Sequence, residues 1–509
     1  MQGTILTLLA LMAGAAAQCP DYSRYAQQKH EPLSEGRYQL SYMRPEPACR
    51  TFNSSVVEEA IVGMKRVVRD PDLYRLFENS FPNSLDTAVR WKGVAAGGGE
   101  EELTFLITGD IDAMWLRDSA NQMQSYRSLL QASSSPDSLA SLYRGVINLQ
   151  ARYILSAPHC NSFQPPVESG LAPTQNQQRP DVFTPPAPND TVFECKWELD
   201  SLAAFLEIST NYYEATGDVD FFGKYRWVDT VKTIMETTQA LLVGTYAANG
   251  SVNQSPYTWA RETTIGTETL GNSGRGSPVR DGTGLVRSAF RPSDDSTTYQ
   301  LFIPANMMFS RYLDSASHIM AAVGNQQDLA NRMHNLSTRI RDAITKYGIV
   351  NDPDYGQVYA FEVDGFGSAN RMDDANIPSL LSAPFIGYLD VSDPVYQNTR
   401  KFVLSPDNPY FMRGPVINAI GGPHVGFGKA WPMASIVRIF TSDDAREIET
   451  ALKEIVSSTD GLGLVHESVD SFDAGSWTRQ WFSWANGLLG ECLLDLKTRK
   501  PEVLGASYQ

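Results

Sequence analysis

Apolar residues recur at helical spacing along most of the chain. Val57, Ile61, Met64 and Val68 follow one another at intervals of four, three and four, and Asp70-Pro71 stops the run. Leu199, Leu202, Phe205 or Leu206, and Ile208 make a second stripe, ended by Thr216-Gly217. Pro304 suits a first helical turn, where its missing N–H is no loss; Met308, Tyr312, Ala316, Ile319 and Val323 continue from it to Gly324. Ser442-Asp443-Asp444 has N-cap chemistry for Ala445, Ile448, Leu452 and Ile455, and Leu488, Leu489, Cys492, Leu493 and Leu496 form the last stripe. About a dozen such segments, with little period-2 alternation, predict an all-α chain of paired helices closing into an α/α toroid. A solenoid of helix pairs would show a sequence repeat, and none is visible. Two long connections stand out: 156–188 is Pro-rich and 266–284 is Gly-rich. Long loops in a compact domain line sites or act as lids, unless they are surface insertions.

The chain has 509 residues, 42% of them hydrophobic and 20% charged, enough for a large soluble core. Lys+Arg 42 against Asp+Glu 58 leaves a net charge of −16, which argues against nucleic acid or an anionic membrane as partner. A neutral ligand fits better. Met1–Ala17 reads as a secretory signal peptide, with an apolar core at 5–12 and small residues Ala15-Ala16-Ala17; an uncleaved anchor is the alternative. Residues 18–509 are then a single catalytic domain. Asn-x-Ser/Thr acceptors at Asn53, Asn189, Asn249, Asn253 and Asn335 agree with a secreted or secretory-pathway protein. Of five cysteines, Cys19 with Cys49 and Cys160 with Cys195 are the sequence-local pairings, leaving Cys492 over. The spacings suit no zinc site, and with six histidines and no EF-hand pattern no metal is expected.

Four stretches interleave charged and aromatic residues outside helical periodicity. They are Thr108–Ser119 (TGDIDAMWLRDS), Trp197–Ser201 (WELDS), Phe290–Asp295 (FRPSDD) and Val465–Asn486, which contains His466-Glu467-Ser468 and Thr478-Arg479-Gln480-Trp481-Phe482-Ser483-Trp484-Ala485-Asn486. A pyranose has apolar faces that stack on indoles and hydroxyl edges that seek Asp, Glu, Arg, His and Asn, so this composition suits a sugar. Glycoside hydrolysis generally needs two carboxyls flanking the scissile bond. Asp294 or Asp295 and Glu467 are the natural pair. Adjacent carboxylates repel when both ionise, so partial burial should raise the pKa of at least one of Asp294 and Asp295, as a general acid requires. The plainer use of Ser293-Asp294-Asp295 is as a helix cap. Neither H-E-x-x-H nor G-x-S-x-G occurs.

These motifs, with I-P-x-N at Ile303–Asn306 and G-x-P-H at Gly421–His424, resemble glycoside hydrolase family 125 in order along most of the chain. The resemblance implies an (α/α)6 barrel and a metal-independent, cofactor-free, inverting exo-α-1,6-mannosidase. It gives Glu467 as base and the R-P-S-D-D motif as the acid's place, Asp294 preferred and Asp295 the alternative. Asp110, Trp115, Arg117, Asp118, Asp200, Arg291, Asp295, Asn306, His424, His466, Arg479, Trp481 and Asn486 are then expected to contact an α-1,6-mannosyl oligosaccharide, and the protein to act as a monomer. Another α/α-toroid activity (glucosidase, lyase or epimerase) and a non-catalytic sugar-binding protein are the alternatives.

Overall fold

The computed structural model describes residues 19–97, 99–176 and 181–509; the expected leader, Met1–Ala17, lies outside the described residues. The expected helices form where the stripes and caps put them. Leu199–Thr216 ends at Gly217, whose φ of 65° is open to a residue without Cβ, and whose amide returns to the Tyr213 carbonyl. Asp444 caps Ala445–Ser457 by accepting from the Arg446 amide. Asp70-Pro71 separates two helices, Ser55–Met64 and Pro71–Ser80. The Asp70 carboxylate accepts from the amides of Asp72 and Leu73, a cap contributing about 1 kcal/mol.

Helix packing follows the width of each apolar stripe. Gln327–Tyr347 buries Leu329, Met333, Leu336, Ile340 and Ile344 along one face and lies outside Ile303–Val323. Leu116–Gln124, Leu199–Thr216 and Ile303–Val323 pack side by side, and Ser483–Arg499 contacts both Leu116–Gln124 and Pro432–Phe440. Those inner helices are buried nearly all round. Leu139–Ser156, Trp227–Ala240 and Ala445–Ser457 lie against them or against one another as a second layer.

The chain is not all-α. Two- and three-stranded antiparallel sheets occur between the helices, many of them built from two-residue strands. Met114–Trp115, Leu301–Phe302 and Lys429–Ala430 are such strands, each placed just ahead of an inner helix. A two-residue strand is too short to show alternation, so the sequence pattern could not reveal them. The long connections are also tied down. Val182–Thr184 pairs with Thr258–Ala260, and Arg261 bridges Asp181 and Glu194. Disulfides join Cys19 to Cys49 and Cys160 to Cys195, the sequence-local pairings, and Cys492 is a buried free thiol. No described helix is long and apolar enough to cross a membrane.

Candidate active site

Three of the inner helices start at one cavity. Trp115, Trp431 and Phe482 precede Leu116–Gln124, Pro432–Phe440 and Ser483–Arg499, and all line a cavity of about 600 Å3. Helix N-termini carry partial positive charge, which favours acidic side chains there. Gly109 lets two of the motif segments meet: at its φ of 134° a Cβ would lie 2.5 Å from the Trp481 carbonyl oxygen. This close approach puts Asp110 beside Arg479, whose Nε donates to it at 2.8 Å.

The R-P-S-D-D motif forms a tight turn and caps no helix. Phe290 bridges Ser296, the Asp294 amide donates to the Arg291 carbonyl at 2.9 Å, and the Arg291 amide donates to the Asp295 carbonyl at 2.8 Å. Pro292 holds the turn's second position, and Asp294 closes it with a φ of 65°, a conformation Asp tolerates better than most residues. The reversal separates the two neighbouring carboxylates. Asp295 faces His424 Nδ1 at 3.5 Å, while Asp294 accepts from Asn161 Nδ2 at 3.1 Å and Trp115 Nε1 at 3.4 Å.

Arg117 is the buried hub on the Asp294 side. Its guanidinium lies 2.5 Å from Glu198, 3.1 Å from Asp200, 3.4 Å from Asp118 and 3.9 Å from Asp294. On the opposite motif, Glu467 accepts from Thr478 Oγ1 at 2.8 Å and Arg479 NH1 at 3.3 Å. Arg479 also stacks 4.7 Å above the Phe482 ring. Acidic side chains thus gather around the cations Arg117, Lys196, His424 and Arg479 in and behind the cavity wall.

Burial and neighbouring charge set their protonation. Burial pushes Glu198 well above its usual range; Arg117 opposes this, while Asp294 and Asp200 reinforce it, as does a hydrogen bond with Asp294. Burial likewise raises Asp118, to about 6, against the pull of Arg117. Asp294 goes the other way. Burial would raise it too, but Lys196, Arg117, the bond from Glu198 and His424 together hold it down at about 2. Repulsion between the adjacent Asp294 and Asp295 is therefore not what sets this proton: the cations around Asp294 favour its ionised form, and burial favours a protonated Glu198 that hydrogen-bonds to it. His424 is pushed up to about 9 because Asp295, Glu467 and Asp294 outweigh its burial, so it is a cation facing both arms of the site. Among the described residues no three His, Cys, Asp or Glu side chains are grouped to hold a metal ion.

A family model described as metal-independent alpha-mannosidase (GH125) matches residues 70–494. The chain belongs to that family. It is 46% identical over 488 residues to the meiotically up-regulated gene 157 protein of Schizosaccharomyces pombe, covering 96% of this chain and 94% of that one. It is also similar to a Streptococcus pneumoniae metal-independent alpha-mannosidase solved in a non-productive complex with alpha-1,6-mannobiose. That match has a TM-score of 0.77 and 32% identity, and covers 87% of this chain and 99% of that one. This GH125 chain is thus a glycoside hydrolase of a mannosidase family, with the helix-rich fold of its relatives.

Of the site residues named from the sequence, Asp110, Trp115, Arg117, Asp118, Asp294, Asp295, His424, Glu467 and Arg479 line the cavity of the GH125 chain. The other expected contact residues lie behind it or elsewhere. Asp200 is enclosed against Arg117, and Arg291 is buried against Glu362 at 2.7 Å. His466 does not line the cavity beside Glu467; it stacks on Trp477 at 4.6 Å, and burial lowers it to about 4. Trp481 packs edge-on against Tyr22 at 4.8 Å and donates to Asn83. Asn306 and Asn486 are backbone clamps. Asn306 accepts from the Val286 amide and donates to the Val286 carbonyl, steadying the segment before Asp294. Asn486 does the same to Val465, two residues before Glu467. Polar residues inside apolar stripes were read as ligand contacts; their partners are backbone groups.

Sequence reasoning missed Asn161, Phe193, Lys196, Trp431 and Trp484 in or beside the cavity, and did not give Glu198 a role. Glu198 and Lys196 flank Trp197 in a stretch that had been singled out, and Trp484 lies three residues beyond the tryptophan chosen instead. The Cys160–Cys195 disulfide sets Asn161 beside Lys196, whose amide donates to Asn161 Oδ1 at 3.0 Å.

Proposed function

We propose that the chain is an exo-acting α-1,6-mannosidase that works with inversion. The observation that carries this reading is the shared cavity: Asp294 and Glu467, far apart in sequence, line one indole-walled space, and His424 responds to both. Inner helices that begin at that space support an (α/α)6 toroid as the architecture, with 18–509 as one catalytic domain. Terminal mannose stacks on Trp115 and Phe482, while Asp118, His424 and Arg479 take its hydroxyls. Asp294 faces the glycosidic oxygen and passes it a proton that Glu198 supplies from behind. Glu467 removes a proton from the water that attacks the anomeric carbon on the opposite face. The C–O bond to the leaving sugar breaks as the bond from water forms. The leaving sugar keeps the proton from the Glu198–Asp294 pair, Glu467 holds one from the water, and exchange with solvent restores both for the next turnover.

Two disulfides support passage through an oxidising, secretory compartment, with Met1–Ala17 as the leader, and the enzyme is proposed to act there as a monomer. Incubation with α-1,6-, α-1,2- and α-1,3-mannobiose, followed by proton NMR, tests the reaction. β-Mannose released first from the α-1,6 isomer is the expected result. Initial α-mannose would replace inversion by retention, and turnover of another linkage alone would replace the substrate.

A further inference from the structure

Beside the catalytic cavity lies a second one, of about 620 Å3, to which no role has been given. The wall between them is thin in sequence. Thr267 lines both; Arg291 lines the second and Pro292 the first; Pro423 lines the second and His424 the first. The same turn and the same loop that carry Asp294 and His424 therefore form the back of the second cavity.

Its chemistry differs from its neighbour's. Hydroxyls and amides from residues such as Thr269, Asn272, Ser296 and Thr298 line it, and no acidic side chain does. Its cation, Arg291, is buried and neutralised by Glu362 at 2.7 Å, so an anion gains little there. Without a carboxylate the cavity holds no acid or base for hydrolysis. Tyr410 and Phe427 supply aromatic surface. Phe427 is 88% exposed, on a loop whose next residue, Gly428, accepts from the Ser471 amide. A phenylalanine left in water forgoes about 1.5–3 kcal/mol of burial, an arrangement suited to a ring that a ligand covers. Neutral hydroxyl-bonding groups with an aromatic platform match a neutral sugar, and the volume is within the about 300–1,000 Å3 of small-ligand sites.

We infer that this second cavity binds a further mannose residue of the same oligosaccharide, beyond the sugar that leaves, so that a branched substrate occupies both cavities at once. The inference rests on the mannosidase reading for its ligand. It makes the Gly-rich connection a selector of substrate size, since Thr267, Thr269 and Asn272 all come from it.

Gly271 offers a way to block the cavity without disturbing the fold. It lines the cavity, its φ lies outside the left-handed region, and a Cβ built on it meets nothing within 4 Å. Gly271→Trp and Phe427→Ala are compared with the unaltered enzyme on α-1,6-mannobiose and on a branched mannopentaose. Both variants are expected to raise KM for the pentasaccharide about three- to tenfold, with its kcat and both mannobiose constants within about twofold, as loss of a stacking contact predicts. Calorimetry with the pentasaccharide, each enzyme carrying Glu467→Gln to stop hydrolysis, reads occupancy without turnover. An unchanged Kd in Gly271→Trp overturns the inference, as does an equal loss on both substrates. If the unaltered enzyme cleaves neither sugar, the mannosidase reading falls by itself, and the calorimetric comparison still decides the cavity.

Discussion

Replacing Glu198 with Gln tests where the acid's proton comes from. The carboxamide has nearly the same shape and keeps an oxygen to accept from Arg117 NH1 or Asn161 Nδ2, but it cannot release a proton. Lys196, Arg117 and His424 favour the ionised form of Asp294, so without a proton donor behind it Asp294 is a poor acid. General acid catalysis is worth about 10²–10⁴ in rate, so kcat on α-1,6-mannobiose should fall by about that factor. Glu198 does not line the cavity, so KM should stay within about threefold. The assay is mannose release from about pH 4 to pH 9, with a dinitrophenyl α-mannoside as a second substrate whose leaving group needs no protonation. Unaltered enzyme should lose kcat as pH rises through the elevated Glu198 pKa, and the variant should lack that limb. The defect should shrink on the activated substrate. Turnover within about threefold of the unaltered enzyme, with the alkaline limb intact, would refute the relay.

Three further outcomes are expected. Glu467→Gln should lower kcat about 10²–10⁴-fold on both substrates, since an activated leaving group does not relieve the need to deprotonate water; steady-state kinetics checks this. Burial raises Glu491 to about 8 and Glu207 to about 7, both well above the ordinary 4.5. The folded state therefore holds these protons more tightly, and stability present at low pH is lost as pH rises from about 4.5 through about 8. Glu491→Gln should flatten that fall in urea denaturation measured across pH; an unchanged slope would contradict it. Removing the Cys160–Cys195 bridge, 35 residues apart, by a double Ala substitution should cost about 3.8 kcal/mol on chain-entropy grounds, read by the same denaturation assay.

Much of the fold was legible because helices announce themselves locally: stripe, cap and terminating glycine all lie within one segment, as at Leu199–Gly217. The two-residue strands carry no pattern of their own, and their existence depends on segments brought together from elsewhere, as Met114–Trp115 with Ser162–Phe163. Within the site the motifs identified which stretches converge, but not which side chain of each faces inward. His466 and Glu467 are neighbours pointing apart, and Trp484, lining the cavity, sits in the same motif as Trp481, packed behind it.

Adjacency to Asp295 is not what sets the protonation of Asp294. Sequence gives adjacency along the chain, while an ionisation equilibrium responds to distance in space. Asp295 is the nearest carboxylate by number, yet the positive φ of Asp294 turns the two side chains toward different partners. What surrounds Asp294 instead are Lys196, Arg117 and His424, from three separate segments, along with Glu198. A run of two acids therefore does not imply that one of them is neutral. It implies a choice, and the backbone turn makes that choice by sending Asp295 to His424 and leaving Asp294 to share a proton with Glu198.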